Sequence, residues 1–207
     1  MELTLMSETK PNPLRIVYCG CGLAGKTTNL KSVYESLKET TEVAIETPDT
    51  GAGRVLRITF DLCRISKELP VDANERQLQL SCAPGGLATA PRQRTLLEEV
   101  DGIVFVVDSQ RERTESNINM MKILLADLAA LDLTVNTLPF VIQYNKRDLP
   151  NALDVEDLRS MLNPMHPEIP DFETIAAAPE APGVLQTLRA IVEKALSNQV
   201  NLSEGAP

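Results

Sequence analysis

No stretch of this chain of 207 residues comes near the roughly twenty consecutive apolar residues that a helix needs to cross a bilayer. The first thirteen residues include Glu2 and Glu8 and no apolar segment, so they do not read as a secretory signal. Glu2 excludes N-myristoylation, and the ending Gly205-Ala206-Pro207 excludes a prenylated cysteine, so no direct membrane anchor is expected. Tryptophan is absent and His166 is the one histidine. Cys19, Cys21, Cys63 and Cys82 show no CxxC spacing, which leaves a zinc site without a ligand set. Reduced thiols in a soluble, cytoplasmic protein are the expectation. Positive charge is also in deficit. A net charge of −9 argues against nucleic acid or an anionic lipid surface as the main partner.

What is present is concentrated in two short motifs. Gly20-Cys21-Gly22-Leu23-Ala24-Gly25-Lys26-Thr27 follows an apolar run, Leu14 to Cys19, and opens a helical pattern. This is the strand, turn and helix context of a phosphate-binding P-loop. The glycines let backbone N–H groups converge on phosphate oxygens, the helix that follows aims its positive end at them, and Lys26 adds a full charge. Residues Gly20, Gly22, Leu23, Ala24, Gly25, Lys26, Thr27 and Thr28 are the candidate phosphate cradle. Thr27 is the candidate ligand for a magnesium ion.

A second apolar run, Leu138 to Tyr144, ends in Asn145-Lys146-Arg147-Asp148. Asn-Lys-x-Asp at a strand end behind a P-loop points to guanine. A carboxylate at Asp148 can accept from both the ring N1–H and the 2-amino group, a donor pair adenine lacks. Asn145 would brace the base and the P-loop, and the Lys146 stem can lie on the ring face. The plainer alternative is a charged turn in which Asp148 caps the next segment.

Periodicity supplies the rest of the architecture. Leu30, Val33, Tyr34 and Leu37 mark a helix from Thr27 to about Glu39. The polar stretch from Glu39 to Gly53 reads as a mobile loop beside the phosphates. Leu56 to Leu62 and Gln77 to Ser81 alternate, and pair as an antiparallel hairpin at the sheet edge. Ile103 to Val107 is continuously apolar, as a central strand covered on both faces would be. Ile118, Met121, Leu124, Leu125, Leu128 and Leu131 mark a long helix, Val155, Leu158 and Leu162 a shorter one, and Val184, Leu188, Ile191 and Ala195 a last one. Thr114 and Asp154 are candidate N-caps. The fold class expected is α/β of the P-loop NTPase kind: a mostly parallel sheet with an antiparallel edge strand, helices on both faces, and ligands at the carboxyl ends of the strands. One domain spans residues 14–197, between flexible tails at 1–13 and 198–207.

With Pro84-Gly85 after the third strand and the runs CGLAGKTTNL, VDGIVFVVDSQ and PFVIQYNKRDLPNA, the chain resembles the MglA-type bacterial Ras-like small GTPases of gliding motility and cell polarity. The likeness covers about Leu14 to Leu196 and is weakest between Thr40 and Ala90. It implies a small-GTPase fold, GTP/GDP cycling with magnesium, and a homodimeric roadblock-type activating partner of the MglB kind. It also implies a contact from Gly85 to the γ-phosphate and a third guanine loop at Ala176-Ala177-Ala178-Pro179, with a backbone N–H near Ala178 meeting the guanine O6.

The departures from that pattern bear on catalysis. Cys82 stands where most Ras-like proteins carry the acid of Asp-x-x-Gly, a position that MglA proteins also leave non-acidic. Gly86 stands where a glutamine usually orients the attacking water, so its loss slows hydrolysis more than binding. Arg54 is the candidate arginine finger, beside Lys26 as the other catalytic cation, although Val55 cannot bind a metal as the family's threonine does. Thr47 or Thr50 would have to substitute. An exposed arginine opening a strand is the plainer reading of Arg54. Asp108, at the end of an apolar strand, is an alternative magnesium acid if the strand is read as that of a generic P-loop ATPase. Two functions therefore stand: a switch that hydrolyses GTP slowly or only with an activator, and a GTP-binding scaffold that does not hydrolyse it. Effectors are not legible.

Overall fold

The computed structural model describes residues 12–38, 44–46, 55–65, 76–83, 96–163 and 169–204. Arg54, Thr47, Thr50, Gly85, Gly86 and His166 lie outside them.

Among the described residues, seven strands form one sheet: β1 (Leu14–Cys19), β2 (Ala44–Glu46), β3 (Arg57–Asp61), β4 (Gln77–Cys82), β5 (Gly102–Asp108), β6 (Phe140–Asn145) and β7 (Asp171–Glu173). Their spatial order is β2-β3-β4-β1-β5-β6-β7. β4, β1, β5, β6 and β7 are parallel neighbours, and β3 runs against both β4 and β2. The antiparallel strand is thus one position in from the edge, since β2 pairs along its outer side. That pairing places a short strand inside the segment expected to be wholly loop. The apolar Val43-Ala44-Ile45 within the threonine-rich stretch was its signal.

Every residue of β5 and β6 is buried, which fits parallel strands covered on both faces. Phe105 and Phe140 stack across this pair at 6.4 Å. Among the described residues, four helices supply the cover: α1 (Lys26–Leu37), α2 (Thr114–Ala129), α3 (Val155–Leu162) and α4 (Val184–Glu204). α1 packs beside α4 and α2 beside α3, and both α2 and α4 pack on β5. The faces they bury are those the periodicity picks out: Leu30, Val33 and Leu37 on α1, Leu158 and Leu162 on α3, and Val184, Leu188, Ile191 and Ala195 on α4. Met120 and Met121 are buried packing residues on α2, whereas Leu125 is 36% exposed.

Two expectations need correction. Thr114 is the first residue of α2 and not its cap; its hydroxyl donates back to the Arg111 carbonyl at 2.8 Å. Asp154 does hold the N-cap position of α3, but without a side-chain cap bond. The polar stretch from Asn198 is not a frayed tail, because α4 continues to Glu204. Gln199 anchors it, donating to Asp101 Oδ1 at 2.7 Å and accepting from Arg76 at 2.5 Å, contacts between side chains that periodicity does not register.

Candidate functional site

Two φ values shape the turn after β1. Gly20 has φ 140°, and a Cβ there would lie 2.2 Å from the Val106 carbonyl oxygen on the neighbouring strand. Gly25 has φ 100°, and its Cβ would lie 2.2 Å from Asn145 Nδ2. Only glycine meets both demands, since any L side chain would be strained and in collision. Gly25 is also the N-cap of α1 and offers no side-chain cap, so the helix opens with donors in its first turn uncapped by a side chain. That arrangement suits an anion.

Lys26, buried at the start of α1, donates to the carbonyls of Gly20 at 2.9 Å and Cys21 at 2.7 Å, spanning the turn from inside. Burial holds its ammonium below the ordinary value for lysine, partly offset by the nearby Cys82, Cys19 and Cys21. A phosphate would supply the counter-charge that the protein withholds.

Thr27 faces β4. Its hydroxyl lies 3.8 Å from Cys82 Sγ, the atom at the strand end where an acid was sought. Burial pushes the Cys82 thiol up to about 11, opposed by the Thr27 hydrogen bond and Lys26. Cys82 therefore stays protonated near neutrality and presents no anionic oxygen. Magnesium beside a nucleotide takes most of its oxygens from phosphates and water, with one or two from protein, so the Thr27 hydroxyl by itself fits such an ion.

Asp108 does not replace the missing acid. It lies at the end of β5, on the opposite side of β1 from β4 and Cys82. Its carboxylate is already engaged: Oδ2 accepts from Lys146 Nζ at 2.6 Å, Arg113 Nε is 3.7 Å from the same oxygen, and Oδ1 accepts from the Gln110 N–H at 3.2 Å.

The second motif begins on the last residue of β6. Asn145 is buried, its Nδ2 donates to the Ala24 carbonyl at 2.9 Å, and its Oδ1 accepts from the Ala176 N–H at 3.0 Å and from Thr174 Oγ1 at 3.2 Å. One side chain thus joins the P-loop, the Asn-Lys-Arg-Asp corner and the loop after β7. The strand tips bearing the two motifs are not adjacent, since β5 lies between β1 and β6. Ser32 on α1 adds a further tie, donating to the Ala176 carbonyl at 2.7 Å. Arg147 points away from the corner to Glu173 and the Leu153 carbonyl.

Leu23, Gly25, Thr28, Asn145, Lys146, Asp148, Leu149, Ala176 and Ala177 line a recess of 180 Å³ between these loops. Six of the residues read from the sequence as a nucleotide site, Leu23, Gly25, Thr28, Asn145, Lys146 and Asp148, are therefore drawn together around it. Ala178 lies outside that lining: its N–H donates into its own loop, to the Ile175 carbonyl at 3.0 Å, and Ala176 and Ala177 face the recess. A turn of small residues carries no pattern from which that one-residue shift could be read.

Sequence reasoning also missed Arg113 and Asn117. Arg113 Nη2 donates to the Gly22 carbonyl, and Asn117 Oδ1 accepts from Cys21 Sγ at 3.2 Å while its Nδ2 donates to the Asp108 carbonyl at 2.8 Å. Their signal is position alone, polar residues just ahead of and on the inner side of a helix that enters after a strand tip beside the P-loop.

Comparison with known proteins bears on this geometry. The family model of the ADP-ribosylation factor family matches residues 85–194. Over 188 residues the chain is 38% identical to the mutual gliding-motility protein MglA of Myxococcus xanthus (strain DK1622), an alignment covering 88% of this chain and 90% of that relative.

Proposed function

The chain belongs to the MglA- and Arf-like small GTPases, and on that premise we propose that it is a guanine-nucleotide switch of the MglA type, hydrolysing GTP slowly or only with an activating partner. The observation that carries the reading is Asn145, whose amide links the P-loop carbonyl of Ala24 to the Ala176 N–H of the third loop. A nucleotide lying along that link would have its phosphates at the opening of α1 and its base against Asp148 and Lys146. The uncapped N–H groups and Lys26 would hold the phosphates, and the Asp148 carboxylate would select guanine. Thr27 would hold magnesium, which when bound neutralises charge on the phosphate oxygens.

The relative's name places it in gliding motility, and we carry polarity or motility over to this chain on that likeness. A homodimeric roadblock-type partner of the MglB kind fits the same likeness, supplying from outside the charge or water alignment that Gly86 cannot. All four cysteines are free thiols, in keeping with a reducing compartment such as the cytoplasm. No helix among the described residues is long and apolar enough to cross a membrane.

A second reading, a GTP-holding scaffold without turnover, is favoured by one observation: the group beside Thr27 is a neutral thiol and not a carboxylate. Single-turnover hydrolysis of GTP, with and without a roadblock homodimer, separates the two. The switch reading expects phosphate release that the homodimer accelerates. Retained GTP with no release under either condition would leave the scaffold.

A further inference from the structure

Asp108 is 1% exposed, and a carboxylate taken that far out of water persists only with partners. Its partners are two cations that belong to opposite halves of the site. Lys146, in the Asn-Lys-Arg-Asp corner, reaches it at 2.6 Å. Arg113, just ahead of α2, lies 3.7 Å from the same oxygen through Nε, while its Nη2 donates to the Gly22 carbonyl in the P-loop. Among hydrogen bonds that the described residues make, Arg113 Nε has none, so the ion pair with Asp108 is what holds that edge of the guanidinium.

We propose that Asp108 is a positioning residue for nucleotide retention, a single buried anchor that fixes Lys146 along the base recess and Arg113 against the P-loop. The inference rests on the guanine-nucleotide reading of the site and adds to it a residue that does not itself touch the nucleotide.

The two arms follow from different chemistry. A lysine stem loses much rotamer freedom when it is ordered. Lys146, at φ 65° and lining the 180 Å³ recess, is already ordered by its bond to Asp108 before any base arrives, which lowers the cost of binding one. Arg113 is a planar fork whose donors move together. Because the peptide C=O and the following N–H point in opposite directions across a trans peptide, a Gly22 carbonyl held by Arg113 fixes the Leu23 N–H as a donor on the side away from Arg113. Both effects lapse if the carboxylate loses its charge.

The test uses the full chain loaded with N-methylanthraniloyl-GDP and follows release after a chase with excess GDP. Asp108→Asn keeps the shape and removes the charge. It should speed release by about tenfold or more, the loss of charge-assisted contacts. In a Lys146→Met or Arg113→Met background the same substitution should add clearly less, because one of its two arms is already gone. An equal factor in all three backgrounds, or unchanged release in Asp108→Asn, overturns the proposal. Melting of the nucleotide-free proteins tells positioning from general damage: the faster release should exceed what any lowered melting temperature accounts for. If Asp108→Asn does not fold, Lys146→Met and Arg113→Met still decide. Each should speed release by losing its own arm, and unchanged release in Arg113→Met, whose side chain does not line the recess, refutes the anchor. A wild-type chain that fails to hold the fluorescent GDP at all would instead refute the guanine-nucleotide reading beneath it.

Discussion

The side-chain amide of Asn145 donates to the carbonyl of Ala24 at 2.9 Å, across 121 positions of sequence and past the intervening tip of β5. This bond and the Ala176 N–H accepted by the same side chain hold three loops at a common depth.

Replacing Asn145 with alanine leaves a buried carbonyl and a buried N–H without partners, at about 1–3 kcal/mol each before relaxation. The nucleotide-free protein should melt several degrees lower, and GDP affinity should fall by more than the loss of stability implies. Thermal melting and calorimetry check this; unchanged GDP affinity would contradict the bracing role.

Gly25→Ala places a methyl group where Asn145 Nδ2 lies, in a backbone conformation of φ 100°. Strain of about 1–3 kcal/mol and displacement of Asn145 should follow, with guanine-nucleotide binding lost before the fold is. Far-ultraviolet circular dichroism beside a GDP titration reads the two separately. Wild-type binding in this variant would mean that the turn is not the phosphate cradle.

How much of this was legible in the chain depended on what kind of interaction carried it. The apolar faces of α1, α3 and α4 and the covered strand β5 follow from period alone, since burial sets the pattern residue by residue. The P-loop and the Asn-Lys-Arg-Asp corner were legible because backbone geometry and base chemistry demand those residue types at fixed spacing. β2 was missed because three residues paired to the outer side of β3 need no alternation. The reach of α4 past Asn198 was missed because Gln199 is held by Asp101 and Arg76, polar contacts distant in sequence. Arg113 escaped for the same reason: its importance lies in which carbonyl it meets. The shift from Ala178 to Ala177 reflects a turn whose residues are too alike to fix a register.

The thiols give a pH dependence. Burial pushes Cys19 up to about 12 and Cys82 up to about 11, from 9.0. Raised values mean that the folded state disfavours the thiolate, so this contribution to stability is complete below pH 9 and declines as pH rises through 11 to 12. At pH 8 iodoacetamide should modify the half-buried Cys63 well ahead of Cys19 and Cys82. Mass spectrometry of partially alkylated protein checks the order, and early modification of Cys82 would contradict its neutral, covered state.

Cys82→Asp restores an acid at the strand end where the Cys82 sulfur now lies 3.8 Å from the Thr27 hydroxyl, close to Lys26. GDP affinity in the variant should depend more steeply on magnesium than in the wild type, because a carboxylate adds a charged oxygen to the metal's surroundings. Nucleotide release measured with and without a chelator reads the difference. Equal chelator sensitivity in both proteins would remove this strand end from the metal's vicinity.

The central claim is that these loops form one guanine-nucleotide site, and calorimetry comparing GDP, ADP and XDP with the wild type and Asp148→Asn tests it most directly. The account predicts tight GDP binding, ADP weaker by a factor of about 10⁴ or more, and a preference transferred from GDP to XDP in Asp148→Asn. Equal heats from GDP and ADP, or unchanged GDP affinity in that variant, would contradict it.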